Sequence, residues 1–183
     1  VKIRLIIPAI LFSFCSNAQI PFTYQQLLET TPEINFTDSL LIDAQSTQLP
    51  ALDTFTVKKW FNAILPLSSK NRLKNRTYAP IGKITMQPNF DLFVLLEEKK
   101  RDDSTNVQVV YFFTLKKDGQ FIAKLEAAVY GERKQSGYNI TSLLCKDYKI
   151  VQDSRITVND KSYTDMTYYK INGGGRFILY PKE

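Results

Sequence analysis

The sequence predicts a mainly β domain, about eight antiparallel strands in a meander, preceded by one or two short helices. Three observations lead there. From Tyr78 onward apolar residues recur in strand-length runs, several of them alternating with period two as half-buried strands do. Turn residues separate the runs, Asp118-Gly119 and Asn172-Gly173-Gly174-Gly175 foremost. Finally, a shift of 56 residues lays Tyr111–Ile122 over Thr167–Ile178, strand on strand and turn on turn. The third observation predicts two repeated four-stranded units, forming a curved sheet, a barrel or a sandwich. Two units are too few for a propeller, which needs about four blades or more.

In chain order, the first element is a leader. Val1-Lys2-Ile3-Arg4 is basic, Leu5 to Phe14 is mostly apolar, and Ser16-Asn17-Ala18 puts small residues before Gln19. That is the order of a secretory signal, with cleavage expected after Ala18. The apolar run is too short for a membrane span of about 20 residues. Cys15 raises the alternative of a lipoprotein anchor, but bulky Phe14 stands where the lipidation pattern has a small residue. The expected location is periplasmic or secreted, and the leader looks bacterial. Without Cys15, Cys145 is the only remaining cysteine, so no internal disulfide is expected and Cys145 is read as a buried small hydrophobe.

Residues 19–77 form an N-terminal segment. Up to Val57 its charges are the acids Glu29, Glu33, Asp38, Asp43 and Asp53, with no basic residue. From Lys58 onward the balance is basic, so the acidic piece is expected to pack on a basic body. Tyr24 to Glu29 predicts a short helix capped by Thr23 and stopped before Thr31-Pro32. Val57, Trp60, Phe61 and Ile64 fall at i, i+3, i+4 and i+7, the apolar stripe of a second helix. Thr56 is the expected cap, and Lys58, Lys59 and Asn62 lie off the stripe. Residues 78–183 then form the β domain, with strands over Phe90–Leu96, Val107–Leu115, Phe121–Val129, Ile140–Leu144, Tyr148–Val158, Tyr163–Ile171 and Phe177–Tyr180. Apolar neighbours such as Leu95 with Leu96 and Phe112 with Phe113 predict a sheet covered on both faces, or a filled barrel.

The chain has 183 residues, a formal net charge of +6 and no histidine. That excludes Ser-His-Asp and Cys-His nucleophiles, imidazole bases and His-ligated zinc. No nucleotide, metal or cofactor motif replaces them, and no nucleic-acid-binding motif is present. Gly173-Gly174-Gly175 joins two strands rather than opening a helix, so it is not a phosphate loop.

Two patterns are candidate binding surfaces. Lys70, Arg72, Lys74 and Arg76 recur at every second residue and, in extended backbone, would line one side as an anion-binding stripe; the competing reading is a solvated loop. Tyr163, Tyr168, Tyr169 and Tyr180 cluster in the last strands as a candidate aromatic surface; the competing reading is cross-strand packing. Among the acids, Glu97 with Glu98, Asp102 with Asp103, and Glu126 show no spacing that points to a catalytic pair. The chain resembles small exported β-rich proteins of bacteria. The leading expectation is a non-catalytic, envelope-associated binding module, with an anionic polymer or envelope component as partner. The alternatives are a carboxylate-based hydrolase of an extracellular polymer and a barrel carrier of an apolar ligand.

Overall fold

The computed structural model describes residues 23–44, 49–65, 73, 75–85, 89–102, 105–133 and 135–181. Helix α1 (Tyr24–Thr30) opens with a capping box. The Thr23 hydroxyl accepts from the Gln26 N–H, and the Gln26 side chain accepts from the Thr23 N–H at 2.7 Å. It ends where predicted, one residue before Thr31-Pro32.

Helix α2 (Thr54–Trp60) corrects the expected cap. Asp53, not Thr56, is the N-cap: its carboxylate accepts from the Phe55 and Thr56 N–H groups at 2.8 and 3.0 Å and from the Thr56 hydroxyl at 2.6 Å. A carboxylate has acceptor sites for all three donors, so the helix starts earlier and Thr56 becomes a donor within its first turn. After Phe61 the chain tightens into a 3₁₀ turn over Asn62–Ile64. The stripe survives this change of pitch, and Val57, Phe61 and Ile64 are all buried.

The strands are β1 (Ser39–Ile42), β2 (Arg76–Ile84), β3 (Phe90–Asp102), β4 (Thr105–Lys116), β5 (Phe121–Arg133), β6 (Ser136–Cys145), β7 (Lys149–Val158), β8 (Lys161–Ile171) and β9 (Phe177–Leu179). From β2 to β9 each pairs antiparallel with the next. The sheet stays open, with β2 and β9 at the ends of the order. The described residues therefore form no barrel. Strand β2 begins at Arg76, two residues before the start of the strand pattern in the sequence.

The 56-residue repeat is visible in three dimensions. In the β4–β5 turn the Lys116 N–H donates to Gln120 O and the Gly119 N–H to Lys116 O, both at 2.8 Å. In the β8–β9 turn the Asn172 N–H donates to Arg176 O at 3.0 Å and the Gly175 N–H to Asn172 O at 2.9 Å. Each donor and acceptor of the first turn has its counterpart 56 residues on. Gly119 and Gly175 both take positive φ, +86° and +79°, the geometry of a three-residue hairpin loop closed by a glycine bulge.

The two units stack through an unexpected junction. Strand β5 pairs with β6 only over Val129–Arg133. Nearer the core β5 leaves, and β1, which the sequence did not announce, takes the vacated edge with Ser39 opposite Cys145 and Ile42 opposite Ser142. The Ser142 hydroxyl and the Gln152 amide donate to carbonyls of Glu126 and Ala127, where β5 bulges away. Three layers result. The helices cover Tyr78, Phe93, Leu95, Tyr111, Phe113 and Leu115 on one face of the first unit. The opposite face, with Leu92, Val94, Leu96, Val110 and Phe112, packs on Ile42, Leu144, Ile150 and Ile171. Strands β3 and β4 are thus covered on both sides, as their adjacent apolar residues predict.

Candidate functional site

Directly paired residues share a face of a sheet, so the register maps the exposed surface. On the outer face of the second unit, Leu41, Leu143, Val151 and Tyr168 follow one another across β1, β6, β7 and β8. Tyr180 continues the row, its N–H donating to Tyr168 O at 3.1 Å and its ring meeting that of Tyr168 edge-on at 6.0 Å. Leu41 and Leu143 are exposed. The neighbouring row on one side holds Cys145, Lys149, Lys170 and exposed Ile178. On the other side it holds Thr141, Asp153 and exposed Met166. The Lys149 ammonium lies 6.0 Å from the Tyr180 ring centroid.

Farther along this face the surface becomes a groove. One row runs Gln108, Tyr130, Asn139, Arg155; the next runs Asn106, Glu132, Gly137, Thr157. A pocket of about 450 Å³ opens over all of these except Gln108, with Gly131 and Tyr138 also in its wall. Gly131 holds its floor: at φ +119° it brings β5 so close to β4 that a Cβ there would strike the Asn106 carbonyl oxygen. The Arg155 guanidinium is braced by Asp153 at 3.1 Å.

The candidate residues read from the sequence fall in different places. Lys70, Arg72 and Lys74 lie outside the described residues, as do Cys15 and the rest of the segment 1–18 expected to be a leader. Arg76 stands in β2, not in a loop, and its guanidinium pairs with the Glu97 carboxylate. Of the tyrosines, Tyr168 and Tyr180 meet on the outer face, Tyr169 faces the inner core, and Tyr163 is exposed near the β7–β8 turn. The candidate aromatic surface is thus divided between two sides, because successive residues of a strand point opposite ways. Cys145 is half-buried, not a core residue. Burial pushes its thiol pKa up, and Asp147 adds to the shift.

Among the described residues two carboxylates are buried, both on β3 and both on its helix-facing side. Asp91 accepts from the Tyr24 hydroxyl at 2.8 Å and from the Lys117 ammonium at 2.5 Å. Glu97 accepts from the Tyr111 hydroxyl at 2.8 Å and pairs with Arg76. Burial, and then the neighbouring carboxylate, raise the pKa of Tyr24 and Tyr111 far above the phenol range and push Tyr78 up to about 12. Six residues of strand separate the two acids, about 20 Å, against the roughly 5–9 Å of a glycosidase pair. Glu98 is half-buried, with the Gln108 amide and the Thr77 hydroxyl donating to it, and Glu126 is exposed. Asp103 lies outside the described residues.

The sequence reading did not bring Tyr130, Asn139 and Arg155 together. Their signal was the pairing register, which places them side by side although they lie on three strands; the glycines on either side of the β5–β6 hairpin were its only local mark. Among the described residues no helix is long and apolar enough to cross a membrane. No protein-family model, curated protein or solved structure matches this chain.

Proposed function

We propose that the protein is an exported, non-catalytic module that binds an envelope or extracellular polymer on the outer face of its second unit. The observation that carries this reading is the row from Leu41 through Leu143, Val151 and Tyr168 to Tyr180: exposed and half-buried aliphatic and aromatic side chains on a sheet face that no other described element covers, bordered by Lys149 and Lys170. Folded monomers seldom expose contiguous apolar surface without a use for it. The order of basic start, apolar run and small residues in 1–18 supports export. The hydrolase reading draws no support from Asp91 and Glu97, which are bonded and far apart, and the carrier reading has no barrel lumen among the described residues.

Cosedimentation of the purified protein with the envelope fraction of its source tests the proposal. The protein should pellet with the envelope, and Tyr168→Ser combined with Tyr180→Ser should release it. The cationic stripe would add a salt-dependent part, which Lys70→Ser, Arg72→Ser and Lys74→Ser together should remove. Arg76 must stay, because Glu97 would be left buried without its cation. Failure to pellet in low salt would overturn the reading, and pelleting undiminished by the tyrosine replacements would overturn the placing of the site on this row.

A further inference from the structure

The groove beyond the tyrosine row has a chemistry of its own. Its position follows from the way the units stack. The inner face of the first unit, with Leu96, Val110 and Ala128 in one row, continues into the row Gln108, Tyr130, Asn139, Arg155. The second unit packs with its opposite face, through Leu144 and Ile150. The first unit's core face therefore emerges from under the second unit and turns polar where it meets solvent.

Each component of the groove narrows the ligand. Tyr130 is 47% exposed, so about half of an aromatic side chain is available to a partner. Asn106 and Asn139 each offer a donor and an acceptor, the complement of a hydroxyl group, which also does both. The Arg155 charge is balanced by Asp153, and Glu132 adds a further negative charge, so the described lining has no net positive charge to favour an anion. Its lining, which also includes Tyr138, mixes polar and apolar surface and so suits a ligand that presents both, and its volume of about 450 Å³ is that of a small-molecule site.

We infer that this groove binds a neutral sugar ring, stacked on Tyr130 and hydrogen-bonded by Asn106, Asn139 and Arg155. The inference rests on the reading of the protein as a polymer-binding module and names the chemical class of one of its sites. A hexose fits the components together: its C–H face suits the tyrosine ring, and its hydroxyls suit amides and a guanidinium. The groove crosses β4 to β7 and is open along its length, as a site for one unit within a chain must be.

Titration with cellohexaose, chitohexaose and maltohexaose, followed by calorimetry and by NMR of the intact protein, tests it. At least one of the three should bind and shift the resonances of Tyr130 and Asn139. Tyr130→Ala and Asn139→Ala should each weaken that binding by about tenfold or more. Both side chains are exposed, so the fold should persist, and circular dichroism checks this. Three results would each overturn the inference: no binding of any of the three oligosaccharides, shifts confined to Tyr168 and Tyr180, or binding unchanged by both substitutions. If the protein still pellets with envelope while none of the three binds, the sugar site fails and the module reading stands. If it neither pellets nor binds, both fail.

Discussion

At the scale of single residues, the helical stripe separates into unequal parts. Phe61 is fully buried, edge-on to Phe93 and Phe113 at 5.7 and 5.3 Å. Trp60 is only partly covered; it packs on the Tyr24 ring at 5.4 Å, with the Lys59 ammonium 4.6 Å above its own ring. The sequence placed both on the core face because periodicity counts positions, not depth. Phe61→Ala should therefore cost about 3–5 kcal/mol in urea unfolding, and Trp60→Ala distinctly less; equal losses would contradict this division. Asp53 supplies a pH dependence. Its hydrogen bond from the Thr56 hydroxyl, and then those from backbone N–H groups, hold its carboxyl below the usual carboxylate range. A depressed folded pKa contributes stability that is present above the unfolded value and lost as pH falls through the folded one. The loss should thus appear below about pH 4, as a change in Trp60 fluorescence when α2 loosens. Asp53→Asn keeps a capping acceptor and should flatten that acid limb, whereas Asp53→Ala should cost about 1 kcal/mol at neutral pH.

At the scale of elements, the meander was legible because its turns and strands obey local rules. Asp118-Gly119 and the glycines after Asn172 mark turns whose hydrogen bonds differ only in the side chains around them. Gly119 and Gly175 have to accept positive φ, and each is also crowded: a Cβ at Gly119 would lie 2.6 Å from the Trp60 ring, and one at Gly175 would lie 3.1 Å from Phe90 and Ile122. Gly119→Ala and Gly175→Ala should each destabilise by more than about 1 kcal/mol, with Gly119→Ala the worse and accompanied by a shift in Trp60 fluorescence. An alanine tolerated at either turn would mean that the repeat is one of sequence alone. Strand β1 was not legible. Ser39-Leu40-Leu41-Ile42 is too short to display a period, and its partner β6 lies in the middle of the sheet order, far along the chain. Nor was the groove, since no local pattern records which residues face each other across strands.

At the scale of the whole molecule, the repeat does not divide the protein into two independent parts. The inner core takes Leu92, Val94 and Phe112 from the first unit and Leu144, Ile150 and Ile171 from the second, with Ile42 and Ala44 from the N-terminal segment between them. The same segment reaches the first unit too, where the Lys83 ammonium donates to Leu28 O at 2.6 Å and the Leu52 N–H to Tyr78 O at 2.7 Å. Calorimetric unfolding should give one transition whose van't Hoff and calorimetric enthalpies agree, and Leu144→Ala should lower the midpoint seen by probes in both units alike. Two separable transitions would show that the stacked faces are only loosely joined. The predicted packing of the acidic segment on the basic body comes about through these buried apolar residues and backbone bonds.

The pairing of β1 with β6 also sets a schedule. Ser39 meets Cys145 only after the whole stretch between them, more than half of the chain, has been made. Closing so long a loop costs entropy before any contact rewards it, and topologies rich in such distant pairings reach the native state slowly. Until β1 arrives, the end of β6 that β5 has left presents unsatisfied amides and carbonyls beside Leu143 and Leu144, an edge open to pairing with another chain. Weakening β1, for instance by Leu40→Ser, should therefore raise aggregation during refolding out of proportion to the stability it removes.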